Sequence, residues 1–143
     1  MPTPDEVDVA PLLAAALERG VTLLLPRMTD GAIVWHRVAS LAPELFDTGC
    51  FGIHEPRAET PRCVPGEAPA PLIWIVPGVG FDPYGGRLGR GGGHYDRALR
   101  AAQAVSGTVG VAFACQMMDE VPMAAHDWRL TSVVSPRGWH AAV

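Results

Sequence analysis

The chain has 143 residues, 48% of them hydrophobic, and a formal net charge of -4. That length supports one real core and one domain, while the mild negative charge excludes a general nucleic-acid surface, which needs a clustered excess of Lys and Arg. No apolar run approaches the roughly 20 residues that span a bilayer and no charged-then-apolar leader opens the chain, so it reads as a cytoplasmic protein without a membrane partner.

The first element is a helix in "PDEVDVAPLLAAALERG". Its acids Asp5, Glu6 and Asp8 favour a helix start, Pro11 is tolerated in a first turn, and Gly20 suits the position just past the end. "VTLLLPRM" follows as a short strand stopped by Pro26, then the Asp30-Gly31 turn and a second strand, "AIVWHRVA". From Leu41 to Pro71 recurring Pro and Gly predict an ordered loop followed by a more mobile one, with no second domain and no repeat. "LIWIVPGVGF" is so continuously apolar at its start that it predicts a strand buried on both faces. A helix over about His94 to Ala104 comes next, with Tyr95, Leu99 and Ala102 on one face. "TVGVAFAC" and "LTSVVS" are further strands. Strands separated by helices or long crossovers imply an α/β fold, three-layered, with a mostly parallel sheet flanked by helices and ligands at the C-terminal strand ends.

Between the third strand and the second helix lies "GGRLGRGGGHYDRAL", with six glycines and three arginines. Backbone N–H groups at a helix start have no intrahelical partner and favour anions, and glycines let that backbone approach a ligand closely. Arg87 and Arg90 add planar forks that match phosphate or carboxylate oxygens. A Walker A loop would need Lys followed by Ser or Thr, and the chain contains no lysine at all. The dinucleotide fingerprint fails as well, since Gly89 and Gly91 are correctly spaced but His94 stands at the third glycine position. The residues alone therefore predict an anion-binding loop, with a polyphosphate as its natural guest.

The longer run "VPGVGFDPYGGRLGRGGGHYDRAL" closely resembles the signature of the 5-formyltetrahydrofolate cyclo-ligase family, also called methenyltetrahydrofolate synthetase. "DEVDVAPLL", "LLLPRM", "FGIHEP" and "VPMAAHDWRLTSVVS" agree with the same family in the same order, so the resemblance covers essentially the whole chain. It implies one cyclo-ligase-like α/β domain over residues 1–143, using ATP and Mg²⁺ to convert 5-formyltetrahydrofolate into 5,10-methenyltetrahydrofolate. Phosphoryl transfer of this kind needs positioning and charge neutralisation rather than a protein nucleophile.

Matched position by position, the resemblance implies an ATP cradle of Arg87, Leu88, Gly89, Arg90, Gly91, Gly92, Gly93, His94 and Tyr95, with Arg90 as the catalytic cation. Glu6 would hold the folate together with Arg90, Gly91, Gly92, Gly93 and His94, Phe51 would help wall the cleft, and Asp96 and Asp127 would lie near Mg²⁺. By residue type alone, Glu6 and Asp96 are also ordinary acids of a helix start, and Asp127 an ordinary turn residue. Family members usually begin with roughly fifty more residues, so the chain is read as N-terminally shortened, leaving an exposed sheet edge that admits a homodimer. The alternative from another class is a folate- or nucleotide-binding module without turnover. The cysteines, Cys50, Cys63 and Cys115, are odd in number without metal-like spacing, and His36, His54, His140 and the four tryptophans read as packing or surface residues.

Overall fold

A computed structural model describes residues 6–49, 52–102 and 105–142. They form two compact units, one of residues 8–69 and one of residues 6–7 with 70–142.

In the first unit, helix α1 (Ala10–Glu18) begins later than the sequence predicts, with the Asp8 carboxylate accepting from the Ala10 N–H at 2.9 Å. Strands β1 (Leu23–Thr29) and β2 (Ala32–Val38) form an antiparallel hairpin across Asp30-Gly31, whose φ values of 50° and 78° suit a tight two-residue turn. Pro26 does not stop β1 as predicted: it pairs opposite Trp35 within the strand. A two-stranded ribbon tolerates this, because a residue without an N–H costs nothing where that side of the strand faces no partner. The proline-rich stretch that follows carries a second small hairpin, β3 (Phe46–Thr48) with β4 (His54–Pro56). Arg27 ties the two hairpins together, donating to the Pro56 carbonyl at 2.7 Å. His36 is buried, with Nδ1 2.7 Å from the Thr60 carbonyl oxygen.

In the second unit, β5 (Ile73–Val76) is followed by a miniature hairpin, β6 (Gly80–Phe81) with β7 (Arg87–Leu88). Then come helix α2 (His94–Ala101) and strands β8 (Gly107–Val111), β9 (Ser132–Ser135) and β10 (Gly138–Ala141). The four-stranded sheet runs β10-β9-β8-β5, with β5, β8 and β9 parallel and β10 antiparallel to β9. Among the described residues the sheets are thus mixed rather than mostly parallel, and the α-helices number two. Chain length between strands is the reason. A two-residue connection permits only antiparallel pairing, whereas the stretch from β5 to β8 is long enough to cross over. The fold is α/β, and its parallel part is β5, β8 and β9.

Strand β5 buries one face, not both. Trp74 and Val76 are inside and Ile73 is exposed, because successive side chains of a strand point to opposite faces and one face meets the core. Around that buried face Phe81, Leu99, Leu130 and Val133 are almost wholly enclosed. Leu99 anchors α2 against this core. The helix ends at Ala101, short of the predicted boundary.

Candidate functional site

The glycine-rich loop leaves the C-terminal end of parallel strand β5 and ends at the start of α2, the region where open α/β sheets bind ligands. Its first half is held by a residue absent from the sequence-based list. Asp82 is buried, and its carboxylate accepts from the N–H groups of Tyr84, Gly86 and Val121, each at 2.8 Å. The Asp-Pro-Tyr-Gly-Gly turn is thereby wrapped around one charge. Gly85, at φ 84°, is needed there, since a Cβ would collide with the Leu130 carbonyl. Gln116 performs a similar service one strand over. Its amide donates to the Gly78 carbonyl at 3.0 Å while its oxygen accepts from the Phe113 N–H, joining the ends of β5 and β8. An Asp followed by turn residues is the signal that points to Asp82; Gln116 has none.

The second half of the loop is Gly89 to Gly93. Gly93 adopts the left-handed conformation, φ 60°, at the N-cap of α2, and no side chain caps the helix. Its first N–H groups are therefore directed to the loop side with their partial positive charge. Gly91, Gly92 and Gly93 line an open depression of about 310 Å³ with Asp96, Arg97, Arg100 and His126. Arg97 arches back over the loop, donating to the Gly92 carbonyl at 2.8 Å and contacting His94 Nδ1 at 2.9 Å. Arg100 donates to the Ala125 carbonyl at 3.2 Å.

The nine residues of the implied ATP cradle thus divide. Gly91 to Gly93 face the depression, with His94 opening the helix beside them. Arg90 is exposed within the loop, and Leu88 is exposed on β7. Arg87 instead points inward: Nη2 donates to Asp96 Oδ2 at 2.7 Å, and the side chain is only 7% exposed. Its Nε is buried without a hydrogen-bond partner. Asp96 also accepts from the Trp128 N–H at 3.0 Å. Burial alone raises the Asp96 pKa, but the Trp128 N–H and the Arg87 guanidinium outweigh it and hold the carboxyl below its ordinary value. Tyr95 is part-covered as a residue, yet burial pushes its hydroxyl well above the ordinary value, and the Glu6 carboxylate adds to that rise while Arg87 opposes it. Glu6 therefore lies within electrostatic reach of the helix start.

Asp127 accepts from the Ala124 N–H at 2.7 Å and lies beside His126, in the turn just before Trp128. Among the described residues no group of three or more His, Cys, Asp or Glu side chains could hold a metal ion. A magnesium ion needs no such group where phosphates supply most of its oxygens, and Asp96, facing the depression, offers a carboxylate of the kind it takes. Phe51 and Cys50 lie outside the described residues. No helix among those described is long and apolar enough to cross a membrane.

The 5-formyltetrahydrofolate cyclo-ligase family model matches residues 1–136. The chain is 31% identical over 144 residues to the 5-formyltetrahydrofolate cyclo-ligase of Mycolicibacterium smegmatis, a match spanning 96% of this chain and 71% of that protein. With the 5-formyltetrahydrofolate cyclo-ligase of Escherichia coli K12 it shares 41% identity over 85 residues, 59% of this chain and 46% of the other. The solution structure of Aquifex aeolicus 5,10-methenyltetrahydrofolate synthetase superposes with a TM-score of 0.79 at 34% identity, covering 99% of this chain and 69% of that one. A 5,10-methenyltetrahydrofolate synthetase from Mycoplasma pneumoniae, 19% identical, shares the fold with a TM-score of 0.65. Each match takes in only part of the relative's length.

Proposed function

Because the chain belongs to the 5-formyltetrahydrofolate cyclo-ligase family, a family of ligases, we propose that it carries out the ATP- and Mg²⁺-dependent cyclisation of 5-formyltetrahydrofolate in the cytoplasm. The formyl oxygen attacks the γ-phosphorus of ATP and ADP leaves. N10 of the folate then attacks the activated formyl carbon and loses its proton. Phosphate departs, leaving 5,10-methenyltetrahydrofolate.

The observation that carries this reading is the uncapped start of α2 with Gly91 to Gly93 lining a depression beside it. Those N–H groups hold phosphate oxygens, Arg90 neutralises charge on the transferring phosphoryl group, and Glu6 pairs with the guanidine-like edge of the pterin. Asp96 would hold a magnesium ion, with Asp127 nearby, and the ion would supply charge neutralisation at the phosphates. Arg87 acts from behind the loop, orienting Asp96 rather than touching phosphate.

The test is formation of the methenyl product, followed by its absorbance, from 5-formyltetrahydrofolate with ATP and Mg²⁺. Product that disappears on omitting ATP supports the proposal, and none at high concentration of folded protein overturns it. One observation favours a second reading, binding without turnover: Arg87 is committed to Asp96, so the loop offers fewer free cations than its sequence suggests. Calorimetry showing 5-formyltetrahydrofolate binding in the absence of turnover selects that reading.

A further inference from the structure

We propose that Arg97 is a positioning residue that fixes the tautomer of His94, so that His94 presents Nε2–H to a phosphate oxygen of a nucleotide held on the Gly91–Gly93 loop. The inference rests on the nucleotide reading of that loop. A guanidinium has donors and no acceptor. The 2.9 Å contact from Arg97 Nη2 to His94 Nδ1 therefore runs in one direction, with Nδ1 accepting. In the neutral imidazole the remaining proton then sits on Nε2. That atom lies over the loop: a Cβ added to Gly92 would stand 2.7 Å from Nε2.

An exposed pair three residues apart on a helix is ordinarily worth little. Here the same guanidinium also donates from Nη1 to the Gly92 carbonyl at 2.8 Å. One planar fork thus holds both the ring and the peptide beneath it, a task suited to arginine rather than lysine. It also turns the Gly92 carbonyl into an accepting partner of Arg97. The charged and titratable groups lining the same depression are Asp96, Arg97, Arg100 and His126. Three of these four are cationic or able to become so. A polyanion is the ligand such a lining accepts, and the ring of His94, set against Gly92 beside it, adds a directional donor.

The full chain labelled with ¹⁵N-histidine tests this. It has five histidines, and the His94 signal is assigned by its loss in His94→Gln. Proton–nitrogen correlation of the ligand-free protein is expected to show His94 protonated at Nε2 and bare at Nδ1, changing to a tautomer mixture in Arg97→Met. By calorimetry, Arg97→Met and His94→Phe each weaken binding of ATP and of inorganic tripolyphosphate about tenfold, as loss of one charge-assisted contact does. The double variant loses little more, and His94→Gln, which keeps a donor near the Nε2 position, stays within about threefold of the wild type. A proton on Nδ1 in the wild type overturns the proposal, and so does Arg97→Met leaving both tautomer and affinity unchanged. If the wild type binds neither anion, the nucleotide reading falls and takes the ligand of His94 with it, whereas the spectrum separately reports the contact itself.

Discussion

Arg87 and Asp96 form an ion pair of 2.7 Å in which the side chains are 7% and 14% exposed, directly beneath the loop that opens α2. The pair joins β7 to the first turn of the helix, so loop and helix cannot shift independently. Removing one partner strands the other charge in a site with little water. We expect Arg87→Met or Asp96→Asn to cost about 3–5 kcal/mol of stability, and the apolar double variant Arg87→Met/Asp96→Leu to recover most of it. Denaturant unfolding of the three variants checks this; a double variant worse than both singles would contradict it.

The same pair gives the chain an acid-sensitive element. The Asp96 pKa lies below its ordinary 3.8 in the folded state. The unfolded chain therefore takes up the proton first as pH falls. The stabilising contribution of Asp96 is complete above about that value and is lost as pH drops through the lower, folded one. Unfolding free energy measured from neutral pH downward should fall more steeply for the wild type than for Asp96→Asn. Equal slopes would show that Asp96 is not held in its charged form.

Asp82 predicts a larger local effect. Asp82→Ala leaves the Tyr84, Gly86 and Val121 N–H groups without their acceptor, the last two in a buried place. At about 1–3 kcal/mol for each unsatisfied group, the variant should lose on the order of 3 kcal/mol or more. Asp82→Asn should fall between, because one oxygen remains to serve Tyr84 and Gly86 while the amide faces the Val121 donor. Hydrogen exchange should localise the damage: the Val121 amide exchanges faster in both variants, and the Gly86 amide only in Asp82→Ala.

Much of this arrangement is legible in the sequence for identifiable reasons. The turn at Asp30-Gly31 and the loop order of strand, glycines and helix follow from local chemistry that tertiary contacts do not override, whereas β5, read as buried on both faces, is covered on one. Pro26 inside β1 and the antiparallel β10 were beyond such reasoning, because both depend on which strand edge is left unpaired. The division of the loop into an inward Arg87 and an outward Gly91 to Gly93 was equally hidden. Two arginines three residues apart look alike in sequence, and only the buried Asp96 distinguishes them. Arg97, Arg100 and His126 join the depression from a helix face and a distant turn, a convergence that spacing does not encode.

Tyr95 supplies a spectroscopic prediction. Burial first, and the Glu6 carboxylate second, raise its pKa above the ordinary 10.0. Its neutral form is favoured on folding, so the contribution to stability is complete below about that value and is lost as pH rises through the folded value. The difference in phenolate absorbance between the wild type and Tyr95→Phe should therefore stay near zero across the range where free tyrosine ionises. It should emerge only at higher pH, with or just before unfolding. Glu6→Gln should bring that onset to lower pH, and an unchanged onset would remove Glu6 from the neighbourhood of the helix start.

The last prediction separates backbone strain from ligand binding at the loop. Gly93 holds φ 60° at the start of α2, and Gly20 holds φ 73° just past the end of α1. A Cβ at either position meets the same left-handed backbone penalty, about 1–2 kcal/mol. Gly20→Ala has nothing within 4 Å, and a Cβ at Gly93 comes to 3.0 Å only from the end of the Arg97 side chain. Both variants should thus lose similar stability by thermal unfolding. Their effects on ATP affinity should differ, because relaxing Gly93 rotates the first N–H groups of α2 away from the phosphate oxygens. Gly93→Ala should weaken ATP binding more than tenfold, comparably to Arg90→Ala, whose lost charge-assisted contact is worth about 1.5–3 kcal/mol. Gly20→Ala should leave affinity unchanged. If Gly93→Ala and Gly20→Ala bind ATP equally well, the loop is a structural turn and the helix start holds no phosphate.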